Sequence, residues 1–277
     1  MDLAFFKRTD DPGVLRPTEI AQSLWAGGQM HGVAISSALA RYAEGALTHR
    51  ADLRPVRMTV DLFRAVPLAD CTFATTVVRE GPRIALVDVE LTQDGVPMAR
   101  ASFAFLKATQ SPSGVVWHSE DRPSPPPLDQ VPASEEPRVP FFKSDAPWSD
   151  NFGHHQNAGR KQTWQTALPT VLGEVPSPFQ AVAGIADSTS LVTNWGDKGV
   201  EFINADVTLT LARPACGLEV GLEAVDHVES DGIAIGTATV FDRQGVLGTS
   251  LTTSIVNSRG NVDFQGVEYD EHGNRVD

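Results

Sequence analysis

Basic charge is scarce in this chain. Its 277 residues carry 22 Lys and Arg against 35 Asp and Glu, a net charge of −13 with a pI near 4.9. That excludes an electrostatic nucleic-acid binder, which needs a basic patch. A phosphorylated ligand stays open, because the local field decides its binding. Cysteine is nearly absent: Cys71 and Cys216 are the only two. Neither stands in a CxxC or Cys/His spacing, so a disulfide framework and a zinc site are excluded. Both cysteines read as small buried hydrophobes in a reducing compartment. No apolar run approaches the roughly 18 residues of a membrane span. The opening MDLAFFKRTDDPG is too briefly apolar to read as a signal peptide. The expectation is a soluble, cytoplasmic protein. Ser36-Ser37 has no G-x-S-x-G elbow around it, and Gly27-Gly28 is too short for a P-loop or a G-x-G-x-x-G. His154 and His155 are adjacent and cannot face one site. No metal and no cofactor are expected.

What the chain does have is a small-residue helix pattern, twice. Residues 29–44 carry Gly32, Ala34, Ser36, Ser37, Ala38, Ala40 and Ala43. Residues 179–195 place Phe179, Val182, Ala183, Ala186 and Ser190 on one face. Asp187 follows Ala183 by one turn and should be buried. A buried carboxylate is either satisfied or used. After the first helix, residues 56–63, 72–80, 84–93 and 97–108 alternate as strands. After the second, residues 200–211, 218–229, 233–242 and 246–256 do the same. Residues 18–24 read as a further short strand.

The two halves keep register. Arg64 and Arg213 each close a strand before a proline, and Gly95 and Gly245 each close a turn. Between the halves, prolines forbid regular structure over most of residues 109–150, while Phe141, Phe142 and Trp148 suggest aromatic anchors. The expected division is an N-terminal repeat (1–108), a Pro-rich linker (109–159), a C-terminal repeat (160–257) and a loose polar tail (258–277). The expected fold is α+β: a double hotdog, two repeats each of a central helix wrapped by a curved antiparallel sheet.

Over residues 20–107 and 160–257 the chain resembles the acyl-CoA thioesterase II (TesB-like) double-hotdog family. The matching stretches are Gly27-Gly28-Gln29, residues 60–64, Ala186-Asp187, Ala212-Arg213-Pro214 and residues 244–247. The resemblance implies a fatty acyl-CoA hydrolase of lipid metabolism, in which a carboxylate activates water. It transfers the base to Asp187. It transfers the two orienting positions to Asn204 and Thr253, where the identities differ from the family's Thr and Gln. The substrate-binding set is Gly28, Gln29, His31 and Arg64. Gly28 would offer a backbone N–H to the thioester oxygen, and Arg64, with Arg57, Arg79 or Arg83, would meet the CoA phosphates. Asp206 is a reserve carboxylate. A homodimer or higher homo-oligomer is expected, through pairing of sheet edges. Two other readings remain: a hydratase or dehydratase using His31, and a non-catalytic acyl-CoA-binding protein.

Overall fold

The computed structural model describes residues 3–11, 13–258, 260–265, 268–269 and 275–276. The first half runs β1 (Phe6–Arg8), β2 (Val14–Pro17), a 3-10 turn (Glu19–Ala21), α1 (Gly32–Ala46), β3 (Leu53–Asp61), β4 (Cys71–Glu80), β5 (Ile84–Gln93) and β6 (Val96–Lys107). Next come β7 (Phe141–Lys143), α2 (Phe152–His155), β8 (Gln162–Thr166), α3 (Pro178–Ile185), a 3-10 turn (Ala186–Ser188) and α4 (Thr189–Asn194). The chain ends its second half with β9 (Trp195–Gly196), β10 (Gly199–Val200), β11 (Phe202–Asn204), β12 (Asp206–Leu211), β13 (Glu219–Ser230), β14 (Ile233–Asp242) and β15 (Gly245–Val256).

One antiparallel sheet carries both halves, in the order β1-β2-β4-β5-β6-β3-β12-β15-β14-β13-β8-β7, with β11 beside β15. The order reads as two matching sets meeting at β3 and β12. At that seam Thr59 faces Thr208, their hydroxyls 3.4 Å apart. Their separation, 208 − 59 = 149, is the repeat offset, so the seam pairs each of these residues with its own counterpart. Ile84 and Ile233, which open β5 and β14, keep the same offset. The hairpins keep it too: Gln93 pairs Val96, and Asp242 pairs Gly245. Gly245 is thus the counterpart of Val96, and Gly95 matches Gln244. Aligning the two turn glycines slips the register by one residue.

Small side chains let the helices lie close in the sheet's concave face. Ala34, Ala38, Ala40 and Ala43 are fully buried, as are Val182, Ala183 and Ala186. Where α1 crosses α3, a Cβ on Gly184 would stand 2.1 Å from Ser37 Oγ. Only glycine fits that approach.

Four local readings change. Residues 18–24 form the 3-10 turn and a bridge from Gln22 to Met30 rather than a strand. Helix α1 starts at Gly32, because His31 is its cap. The expected second helix is interrupted by a 3-10 turn that contains Asp187. The expected strand 200–211 breaks at Ala205 into β11 and β12. The Pro-rich segment is anchored by aromatics. Phe142 and Phe152 pack with Trp195 and Phe264, while Phe141 and Trp148 pack on Trp164 and Phe241. Phe264 is 3% exposed, so the tail begins docked rather than loose. Beyond it, apart from the short pair Glu268–Tyr269 and Arg275–Val276, the tail lies outside the described residues.

Candidate active site

A 3-10 turn inside a helix turns side chains away from their α-helical stripe, and such interruptions often mark function. Here it aims Asp187 at the N-terminus of α1. The contact is tight: a Cβ on Gly32 would lie 2.1 Å from Asp187 Oδ1. Asn204 Nδ2 donates to Asp187 Oδ1 at 2.9 Å. The backbone N–H of Val33, in the first turn of α1, also bonds the carboxylate. Burial pushes the Asp187 carboxyl up to about 6, against the opposing pull of the Asn204 amide and the Val33 N–H. Asp187, Asn204, Gly32 and Val33 are each half-buried, so this corner keeps an opening to solvent. The result is a carboxylate that changes charge near neutral pH beside a helix N-terminus able to receive negative charge.

The structure brings Asn204 to Asp187 and does not bring Thr253. Along β15 the inward residues are Ser250, Thr252 and Ser254, all within 1% of full burial, whereas Leu251 and Ile255 face outward. Thr253 shares the outward face by strand alternation. Asp206 is also occupied. Its Oδ1 accepts the Thr253 N–H at 2.9 Å, replacing a ladder bond lost at the Ala205 break.

His31 caps α1. Its Nδ1 accepts the Ala34 N–H at 3.1 Å, which leaves Nε2–H to donate to the Ile20 carbonyl at 3.0 Å. Burial lowers the ring to about 4, with the Ile20 hydrogen bond opposing. A neutral ring with both nitrogens engaged is no acid/base pair with Asp187. Gly28 turns the chain at φ 76°. Its N–H donates to Gln22 Oε1 at 3.4 Å, so it is not aimed at a thioester oxygen. The Gln29 carbonyl accepts the Ser23 N–H. Hydrogen bonds from Leu68 N to Gly28 O and from Met30 N to Val66 O tie this loop to the one bearing Arg64. Gly28 and Gln29 therefore lie beside the loop that bears Arg64, at one rim, while His31 is turned in as the cap of α1. Arg83 sits at the opposite end of β3 from Arg64, roughly 30 Å away at 3.3 Å per strand residue, and Arg79 lies level with Arg57 through Leu86 and Ala104. Arg57 lies on the sheet opposite Thr210.

Comparison with known proteins bears on this corner directly. The family model of the acyl-CoA thioesterase N-terminal domain matches residues 21–106, and that of the C-terminal domain matches residues 116–256. The chain belongs to the acyl-CoA thioesterase family. It is a thioester hydrolase with the α+β double-hotdog fold. Among solved structures it is similar to a tesB protein of Mycobacterium avium subs paratuberculosis, at 16% identity and a TM-score of 0.65, covering 91% of this chain and 95% of that one. An acyl-CoA thioesterase II TesB2 from Mycobacterium marinum aligns at 13% identity and a TM-score of 0.59, over 90% and 94%. A hot dog fold protein of Alicyclobacillus acidocaldarius aligns at 17% and 0.62, over 90% and 95%. No curated protein matches.

One motif residue of this thioesterase, Arg213, is structural. Arg213 forks onto Asp242 at 2.6 and 2.9 Å and also bonds the carbonyls of Gly245 and Val246. Asp242 is fully buried. Burial alone would raise its carboxyl, but Arg213 and the N–H groups of Cys216 and Gln244 bring it below the usual range. Its counterpart in the first half is neutral Gln93, which bonds the Pro67 and Ala69 carbonyls. Arg64 therefore lacks the carboxylate that holds Arg213, and it is exposed without a charge partner among the described residues. Gly32 and Val33 were missed from sequence. Gly32 directly after the capping His31, at the start of a helix, was the available signal. Among the described residues no three His, Cys, Asp or Glu cluster as a metal site, and no helix is long and apolar enough to cross a membrane.

Proposed function

We propose that the chain hydrolyses fatty acyl-CoA to the free acid and CoA with Asp187 as general base. The observation that carries this reading is the half-buried Asp187 carboxyl, held by Asn204 at the mouth of α1 and titrating near neutral pH. In the reaction, Asp187 takes a proton from a water whose oxygen bonds the thioester carbonyl carbon. The Asn204 amide fixes the carboxylate, and its oxygen is the acceptor left for the water. The carbonyl oxygen becomes an oxyanion facing the start of α1, where the Gly32 N–H, unlike those of Val33 and Ala34, is not held by Asp187 or His31. Collapse breaks the carbon–sulfur bond, and the proton on Asp187 passes to the departing thiolate. The acid and the CoA thiol leave with Asp187 again ionised. Arg64, uncommitted at the rim, meets a CoA phosphate.

The test is the pH dependence of kcat/KM. Activity should fall on the acid side with a midpoint near 6, as Asp187 protonates. Asn204→Ala removes a donor that favours the ionised form, so the acid limb should move to higher pH. A limb that stays in place in Asn204→Ala would remove Asn204 from the site. In the same assay Arg64→Ala should raise KM by about tenfold with kcat little changed, the mark of lost ground-state binding. An unchanged KM would exclude Arg64 from substrate contact.

A further inference from the structure

The wall behind Asp187 differs between the two halves in kind. On β15 the inward residues are Ser250, Thr252 and Ser254. Their counterparts, 149 residues earlier on β6, are Ala101, Phe103 and Phe105, each 3% exposed or less. One half closes its helix–sheet space with two phenyl rings, and the other, at the same places, with a threonine and a serine. The helix above matches. On α4, Ser190 and Asn194 stand one turn apart on the face turned towards β15. Thr189 Oγ1 donates to Ser250 Oγ at 2.7 Å, and Asn194 Nδ2 donates to Ser190 Oγ and Ser254 Oγ at 3.3 and 3.2 Å. Across the sheet Ser254 pairs with Asn204, the residue that holds Asp187. A polar lane thus runs from the carboxylate along α4.

That lane is incompletely satisfied. Thr252 Oγ1 and Asn194 Oδ1 are both buried without a hydrogen-bond partner among the described residues. Asn194 is 8% exposed and Thr252 fully buried. Unpaired buried polar groups are rare and costly in folded proteins. A plain alkyl chain laid along this wall would leave them unpaired. A hydroxyl both donates and accepts, so it can serve an amide oxygen or another hydroxyl.

We propose that the acyl group this enzyme takes carries a hydroxyl beyond the thioester carbon, and that Asn194, with Thr252, determines that specificity. The proposal rests on the Asp187 hydrolase reading only for where the acyl group enters. Its test is therefore built to run without turnover. Asp187→Asn protein is titrated by calorimetry with octanoyl-CoA, 3-hydroxyoctanoyl-CoA and 8-hydroxyoctanoyl-CoA. At least one hydroxylated ester should bind about tenfold tighter or more than octanoyl-CoA, the scale set by a buried polar group left unpaired. Asn194→Leu in the same background should abolish that preference by weakening the hydroxylated ester and not octanoyl-CoA. Thr252→Val, close in shape, should reduce it as well and serves if Asn194→Leu does not fold. Equal or tighter binding of octanoyl-CoA by the unaltered lane would overturn the proposal and assign the unpaired atoms to buried water. So would an equal loss on all three esters in both variants. Preference for a hydroxylated ester with no wild-type turnover would sustain the specificity and sink the hydrolase reading. Turnover without preference would do the reverse.

Discussion

At the scale of one residue, Asp187 carries its charge at a cost in stability. Its carboxyl sits at about 6 in the folded chain against an ordinary 3.8, with burial as the main cause. A raised folded value means that the folded state binds the proton more tightly than the unfolded state. The stability this contributes is fully present below about pH 4 and is lost as pH rises through 6. Asp187→Asn removes an ionisable group from that pocket. The variant should be more stable than wild type at pH 8, by up to about 3 kcal/mol at 1.36 kcal/mol per pKa unit, and unfold at a higher temperature, with the gain shrinking towards pH 4. Thermal unfolding at the two pH values checks this. An equal effect at both would mean that the carboxylate is not destabilising when charged. Asp187 was legible in the sequence because a carboxylate fell on an apolar helix face. Its neighbours were less so. The resemblance puts Asn204 beside Asp187, whereas Thr253, the residue it puts at the second orienting position, lies on the outward side of β15 in this chain.

At the scale of elements, strands were the clearest reading. Ile84–Gln93 and Ile233–Asp242 stand where alternation put them. The misreadings fall where side chains compete with the backbone. His31 delays the start of α1, and the Asp206 carboxylate accepts the N–H that the break between β11 and β12 would otherwise leave without a partner. Arg213 and Asp242 show why a motif can mark the fold rather than the chemistry. They lock the end of β12 to the β14–β15 turn, and Asp242 is fully buried. Asp242→Ala leaves the guanidinium without its partner and should cost about 3 kcal/mol or more, read as a lowered denaturation midpoint in urea. The same change at Gln93 involves no charge and should cost less. Equal costs would show that the pair contributes no more than the turn it closes.

At the scale of the whole molecule, duplication explains both the sheet and the asymmetry of the site. Counterpart residues Thr59 and Thr208 meet at the seam, and the outermost strands, β1 and β7, are three residues each. Such short edges are poor templates for pairing, so the edge-to-edge contact on which a homodimer was expected has little to build on. The site itself is single. Helix α1 has one carboxylate, Glu44, and it is held by Ser177 and Gln180 at the start of α3. Where Asp187 meets Gly32 in one direction, Ser37 meets Gly184 in the other. In the proposed reaction one half supplies the base and the other supplies the helix N-terminus it faces. Release of free thiol from a panel of short- to long-chain acyl-CoAs, by wild type and Asp187→Ala side by side, tests this account most directly. The account requires turnover by wild type on at least one ester and a loss of about a hundredfold or more in kcat in the variant, the scale of a general base. Wild-type turnover that survives in Asp187→Ala, or none on any ester that binds, would contradict it.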